Sequence, residues 1–352
     1  MATRSIAIDV GATTVRVAEV EMRGGSDPRD GSTLTAYAER PIPVGVVRDG
    51  AIEEPGTFAS VVKEAVNAAK VSAKKATIAV GHPSVVVREV DVPAQSIDKV
   101  RESLAFHVQD SLPMSIDDAL LDFYPTQDLE GQGGPMLRGL LVASPRELVR
   151  GVIAAMEGTG VGLSHVDHSA FALWRSGCRG ELMNANVALV DVGAASTKVV
   201  ISQQGRPRLV RVLPQGGLDA TKAISSAFKG TSVDAEALKR QIGMNTNVSP
   251  EQRPVADAVA HVMGPLVDSI RNTLVYFASS NPGAGAERIV LTGGGAYLSG
   301  FGQALSSATR LPVMIGDPFA GAAIGKKVDA ASVTGREAEL ATVVGLAMGG
   351  AS

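Results

Sequence analysis

The ten residues Ile8-Asp9-Val10-Gly11-Ala12-Thr13-Thr14-Val15-Arg16-Val17 recur without gaps as Val190-Asp191-Val192-Gly193-Ala194-Ala195-Ser196-Thr197-Lys198-Val199. Asp, Val, Gly, Ala and the last Val are identical, and Ile/Val, Thr/Ser and Arg/Lys are matched in chemistry. In each copy an apolar run enters Asp-x-Gly and a second β-rich run leaves it, which predicts strand, tight turn, antiparallel strand. A third strand is expected after each hairpin, near Thr33–Ile42 and near Arg208–Leu213. Helices should come next. Phe58, Val61, Val62, Ala65, Val66 and Ala69 recur at helical spacing, as do Val255, Val259, Val262, Leu266, Ile270, Leu274 and Phe277. The expected fold class is therefore α/β, built from two duplicated units with a cleft between the lobes.

Composition agrees with strands joined by tight turns. The chain has 39 glycines and only 4% aromatic residues. A net charge of -3 gives no global attraction to nucleic acid or anionic lipid, so neither is an expected partner. The single cysteine, Cys178, excludes an internal disulfide and fits a reducing compartment. No signal peptide is expected at the N-terminus, and no run reaches the roughly 20 apolar residues that crossing a bilayer needs. The apolar C-terminal stretch Ala341–Ser352 is too short to span. Any membrane association is expected to come through partners.

Between about Val80 and Gly160 the chain carries additional material. The pattern predicts strand (Val85–Val92), helix (Ser96–Ser111), strand (Asp118–Gln127), strand (Met136–Ala143) and helix (Pro145–Glu157). Pro113 ends the first helix, and Glu130-Gly131-Gln132-Gly133-Gly134-Pro135 suits a hairpin loop. This is expected to be a small α+β subdomain inserted into the first lobe.

Each Asp-x-Gly turn suits a phosphate. Gly11 and Gly193 let the backbone turn sharply and approach a ligand without a Cβ in the way. Successive amides of such a turn favour an anion, and Thr13, Thr14, Ser196 and Thr197 add hydroxyl donors. Asp9 and Asp191 end their strands at the turns, where carboxylates suit the waters of a Mg²⁺ ion. Arg16 and Lys198 lie further along the second strands, and alternation alone leaves their facing open. A third element, Ile289-Val290-Leu291-Thr292-Gly293-Gly294-Gly295-Ala296, is a β run ending in three glycines, with a helix expected from about Ser299. Gly293, Gly294 and Gly295 allow the flat, close approach that suits a purine or ribose.

In this order, Asp-x-Gly-x-x-Thr, Asp-x-Gly-x-x-Ser-Thr and Thr-Gly-Gly-Gly resemble the first phosphate, second phosphate and adenosine motifs of the actin, heat-shock chaperone and sugar kinase superfamily. The resemblance implies an actin-like bilobal fold of duplicated ribonuclease-H-like units that binds ATP with Mg²⁺. It adds Gly216-Gly217 and the stretch Asp234–Arg240, whose Glu236, Lys239 and Arg240 would hold ribose and adenine. Val166–Leu173 and Thr342–Met348 are similar to its two interlobe connecting helices. The implied organisation has residues 1–80 in the first lobe, the insertion at 81–162, and a connecting helix with the rest of the first lobe at 163–185. The second lobe follows at 186–333, with a helical subdomain at about 219–285, and a C-terminal connecting helix at 334–352. Asp191 is the candidate for orienting an attacking water, although holding Mg²⁺ explains it equally well. The implied ATPase activity is at most slow.

Within that superfamily, three features resemble the PilM family of type IV pilus assembly proteins. They are helix 96–111 followed by Leu112-Pro113-Met114 and the acidic strand Asp117–Tyr124, the start Ser5–Gly11, and Ser169-Ala170-Phe171-Ala172-Leu173. That resemblance implies an ATP-binding cytoplasmic scaffold, peripheral on the inner face of the cell membrane. It would grip the N-terminal tail of a PilN-type membrane protein in a groove between the first lobe and the insertion. It would also link that protein to the pilus motor ATPases and the platform protein. An FtsA-like division protein is disfavoured, because no amphipathic anchor follows the last helix. A small-molecule kinase of the same superfamily would need an acceptor pocket and a base that no polar cluster suggests.

Other features carry bland readings. Gly321-Ala322-Ala323-Ile324-Gly325-Lys326-Lys327 is one residue short of a P-loop and lacks its Ser/Thr. His165 and His168 with Asp167 are expected in a chain reversal and not at a metal. Cys178 and Trp174 are expected to pack, as is the stripe Val100, Leu104, Val108 and Leu112 on helix 96–111.

Overall fold

The computed structural model describes residues 3–22, 31–72, 74–109, 112–228, 230–320 and 322–349. The first unit begins with β1 (Thr3–Val10), β2 (Thr14–Met22) and β3 (Thr33–Pro41). The short hairpin β4 (Val47–Arg48) and β5 (Ala51–Ile52), helix α1 (Pro55–Ala69) and β6 (Lys75–Val80) follow. Strand alternation sends Ile6 and Ile8 to one face, against Phe58, Val62, Ala65 and Ala69 of α1. Ala7 faces the opposite layer. Both faces of β1 are thus covered, which explains its unbroken apolar run. Proline in the first turn of α1 suits a helix start, where its missing N–H costs nothing.

Strand β7 (Val86–Pro93), α2 (Ile97–Val108), β8 (Ala119–Gly131) and β9 (Gly134–Pro145) form a separate three-stranded sheet in the order β7-β9-β8. Val100, Leu104 and Val108 of α2 pack on Phe123, Leu137 and Leu141, as the stripe predicts. Ser111, the expected end of this helix, lies outside the described residues. Helix α3 (Arg146–Glu157) then buries Val152, Ala155 and Met156 in the first-lobe core. Strand β10 (Gly162–His168) pairs parallel with β6. The expected insertion at 81–162 thus takes in α3, which packs mainly with the first lobe.

After α4 (Ser169–Gly177) the second unit repeats the first. Its elements are β11 (Asn186–Val192), β12 (Thr197–Gln203), β13 (Arg206–Leu213), α5 (Gly217–Phe228), α6 (Ser232–Ile242), α7 (Arg253–Ser280), β14 (Arg288–Thr292), α8 (Phe301–Thr309) and β15 (Val313–Ile315). Strand order is β13-β12-β11-β14-β15 here and β3-β2-β1-β6-β10 in the first lobe, with the same antiparallel and parallel pairings throughout. The repeat read from ten residues therefore extends over whole five-stranded units.

The chain finally returns to the first lobe. Strand β16 (Ala323–Ile324) pairs with β3, and α9 (Ala341–Gly349) crosses α4 between the lobes. Gly345 makes that crossing possible, because a Cβ there would lie 1.8 Å from Ala172 O. Two expectations need correction. Val166, Asp167 and His168, expected in the first connecting helix or a chain reversal, lie on β10, where β6 supplies ladder partners. The helix starts only at Ser169, because the His168 ring accepts from Ala170 N–H and caps it. The helix expected from Ser299 begins at Phe301, after a 3₁₀ turn over Gly294–Tyr297. Gly321 of the rejected P-loop lies outside the described residues. Cys178 is buried, and Trp174 packs in the same cluster.

Candidate functional site: an interlobe cleft

The two hairpin turns face each other across a cleft of about 910 Å³. Each is closed by the same hydrogen bond, Gly11 N–H to Thr14 O at 2.9 Å and Gly193 N–H to Ser196 O at 3.0 Å. Asp9, Gly11, Thr13, Thr14 and Arg16 line it from the first lobe. Asp191, Gly193, Ser196 and Lys198 line it from the second. The far end is walled by Gly217, by Glu236, Lys239 and Arg240, and by Gly293, Gly294 and Gly295. Thr197 is not in the lining. Its hydroxyl donates to Gln215 O at 2.9 Å, which holds the turn and commits its one donor away from the cleft. Gly216 also lies behind the surface, packed on the backbone of Gly193 and Ala194.

Hairpin register answers the question of facing. Asp9 lies directly opposite Arg16, and Asp191 opposite Lys198. Cross-strand partners share a face, so both bases turn into the cleft beside their acids. The Lys198 ammonium sits 3.1 Å from Asp191 Oδ1, and Thr292 Oγ1 donates to Asp191 Oδ2 at 3.2 Å. Burial alone lowers the Lys198 pKa, but Asp191 and Asp9 outweigh it and hold the ammonium above the ordinary lysine value. Burial raises the Asp9 carboxyl above the usual range, against the pull of Lys198 and Arg16.

Arg16 is drawn elsewhere. Its guanidinium is 3.0 Å from Glu339, 3.4 Å from Glu39 and 3.9 Å from Asp9. Arg336 bonds to both Glu39 and Glu339, so the segment before α9 is tied to β2 and β3. Lys239 donates to Gly217 O, Thr221 Oγ1 and Glu236 Oε2 at 3.0, 2.9 and 2.6 Å, lacing α6 to the start of α5. Burial works against the Glu236 carboxylate, and bonds from Lys239, Thr221 and Arg240 outweigh it, holding its pKa low. Sequence reasoning missed Gly81, Ser169, Tyr297, Arg336 and Glu339, all of which line the cleft. Gly81 directly after a strand was a weak local signal; the others belong to no local motif.

His168 supplies a pH test. Its Nδ1 accepts from Ala170 N–H, so the neutral ring carries its proton on Nε2. Burial pushes its pKa down from 6.5 to about 4, with Lys198 adding to the shift and Asp167 opposing it. The folded value lies below the unfolded one, so the unfolded chain takes up the proton first as pH falls. The contribution is complete above about pH 6.5 and is lost towards pH 4, about 3 kcal/mol in all. His168→Asn keeps a capping side chain without this titration. Urea unfolding at a series of pH values between these limits is expected to give a shallower acid slope for the variant. Equal slopes would dismiss the assignment.

Among the described residues, no His/Cys/Asp/Glu cluster able to hold a metal occurs, and no helix is long and apolar enough to cross a membrane. The sequence model of the family Type IV pilus assembly protein PilM matches residues 7–351. A solved PilM-PilN type IV pilus biogenesis complex superposes with a TM-score of 0.85 at 26% identity, covering 99% of this chain and 98% of that one. MreB5 of Spiroplasma citri bound to AMPPNP has a TM-score of 0.55 at 11% identity, covering 97% and 94%, a likeness of fold. Cell division protein FtsA of Streptococcus pneumoniae is 24% identical over 258 residues, 67% of this chain and 55% of that protein. FtsA of Bacillus subtilis is 27% identical over 107 residues, 30% of this chain and 24% of that one. The chain thus spans only about a quarter and about half of those two division proteins. Duplicated actin-like units, the cleft between them and a family match over nearly the whole length lead to one assignment: the chain belongs to the PilM family of type IV pilus assembly proteins.

Proposed function

We propose that this chain is an ATP-binding scaffold of type IV pilus assembly. In that reading it takes the N-terminal cytoplasmic tail of a PilN-type inner-membrane protein and links it to the pilus motor ATPases and the platform protein. Attachment to the inner face of the membrane comes through that partner. The observation that carries the reading is the pair of duplicated Asp-x-Gly turns meeting across one cleft, in a chain whose fold matches a PilM-PilN complex. The turn amides that follow Gly11 and Gly193, whose own N–H groups close the turns, hold the phosphates with the hydroxyls of Thr13, Thr14 and Ser196. Glu236, Lys239, Arg240 and the glycines at 293–295 receive the nucleoside, and Gly294 is open above its Cα.

The Mg²⁺ that would accompany ATP fits less well. Asp9 and Asp191 are the carboxylates for its waters, but both oxygens of Asp191 are already engaged. Coupling to the partner has a physical route. Arg208 of β13 pairs with Glu89 of the insertion at 2.8 Å, and Arg206 donates to Thr126 O at 2.8 Å. Closing the lobes on nucleotide therefore pulls on the subdomain that flanks the proposed tail groove.

The test is calorimetric titration with ATP, then with a synthetic PilN-type N-terminal peptide, with and without nucleotide. Saturable binding of both, with peptide affinity changed several-fold by ATP, is expected. ATP binding with peptide affinity unmoved by nucleotide would remove the coupling; absence of ATP binding would remove the nucleotide reading altogether.

A further inference from the structure

The floor of the cleft holds a cation of its own. Lys198 comes from the second lobe, yet its Cε lies 3.5 Å from where a Cβ on Gly81 of the first lobe would stand. Its side chain is only 13% exposed, and among the described residues it donates solely to Asp191. Asp9, from the first lobe, is the second of the two carboxylates that act on it. Arg16, the equivalent base of the first hairpin, is instead spent on Glu339 and Glu39. Ser169 Oγ lies at the same floor, 2.5 Å from the Gly81 Cβ position, buried and without a partner among the described residues. The ammonium is thus paired with Asp191 and lies against the first lobe at Gly81, under space for phosphates.

A divalent ion set on Asp191 would meet the positive charge of Lys198 beside Oδ1, while Oδ2 already accepts from Thr292. We propose that Lys198 is a built-in counter-cation that stands in for the divalent metal, so that the cleft binds a nucleoside triphosphate without needing Mg²⁺. The ammonium stays paired with Asp191 and turns its remaining N–H donors to the phosphate oxygens when nucleotide enters. Lys has three such donors, enough for a carboxylate and a phosphate at once. This inference rests on the nucleotide reading above and specifies which charge in that site meets the triphosphate.

The experiment titrates full-length protein with ATP, once with excess Mg²⁺ and once with excess EDTA. Wild-type affinity is expected to differ by no more than about three-fold between the two. In EDTA, Lys198→Met should lose at least about ten-fold, the worth of one charged hydrogen bond, and Lys198→Arg should keep most of the binding. Mn²⁺ added to nucleotide-free protein and followed by electron paramagnetic resonance gives a readout independent of ATP. Wild type is expected to leave Mn²⁺ free, and Lys198→Met to bind it through the released carboxylates. Wild-type binding that collapses in EDTA, Lys198→Met matching wild type there, or Mn²⁺ bound equally by both proteins would each overturn the proposal. If Lys198→Met does not fold, the wild-type EDTA comparison and Lys198→Arg still decide it. Absence of ATP binding under both conditions would strike at the nucleotide reading instead.

Discussion

Gly345→Ala is expected to leave little folded protein. A Cβ on residue 345 would sit 1.8 Å from Ala172 O and 2.6 Å from Ala172 C. Both are backbone atoms of α4, so no rotamer change can relieve the overlap. The two helices would have to separate, and each is buried along almost its whole length. Phe171, Leu173 and Trp174 of α4 pack in one cluster, while Val343, Val344, Leu346 and Met348 of α9 pack in another. Separation would also break the bond from Arg175 Nε to Gly345 O at 2.9 Å. Interiors packed at crystal density do not absorb such a shift, and a loss of at least about 4 kcal/mol is expected. The matched control is Gly151→Ala in α3, where nothing lies within 4 Å of the new Cβ. Exchanging glycine for alanine in a helix interior stabilises by about 0.5–1 kcal/mol. Urea midpoints are expected to move in opposite directions for the two variants. A Gly345→Ala midpoint equal to wild type would sink the description of this crossing.

What was legible in the sequence was local. The two hairpins announce themselves because period-two alternation and an Asp-x-Gly turn fit within ten residues, and duplication supplies the second witness. The insertion's strands and helix were legible for the same reason, with Pro113 and the glycines at 131–134 marking their ends. What failed depended on partners distant in the chain. Gly162–His168 carries only a weak β pattern, and β6 makes it a strand. Thr197 matches the hydroxyl positions of the motif, yet Gln215 O takes its hydroxyl. The facing of Arg16 and Lys198 hung on hairpin register, which the turn sets and the alternation of one strand does not. Glu339 and Arg336 reach the cleft from more than 290 positions along the chain, and no local pattern anticipates them. Sequence located the two turns; only the fold brought Lys198 of the second lobe against Gly81 of the first.

The same distinction decides the largest expected effect on binding, at Gly216. A Cβ there would lie 2.5 Å from Ala194 O and 2.6 Å from Gly193 O, against the backbone of the second phosphate turn. Those two carbonyls are the acceptors for Leu218 N–H at 2.8 Å and Gly217 N–H at 2.9 Å, so the turn and the start of α5 are bonded face to face. One methyl group must drive them apart. Two backbone hydrogen bonds are then lost, at a cost of about 1–3 kcal/mol, and the turn that begins at Gly193 is displaced from the cleft wall. Lys239 also bonds to Gly217 O, so the disturbance reaches Glu236 and the nucleoside end. Gly216→Ala is therefore expected to weaken ATP by about 100-fold or more and to lower the urea midpoint. Gly294→Ala is the informative partner. Among the described residues no atom lies within 4 Å of its new Cβ, and the residue lines the cleft, so stability should hold while ATP affinity falls. If Gly216→Ala binds ATP as wild type does, the turn is not the phosphate cradle. If Gly294→Ala does so, the nucleoside lies elsewhere in the cleft, and the assignment of the three glycines fails while that of the two turns stands.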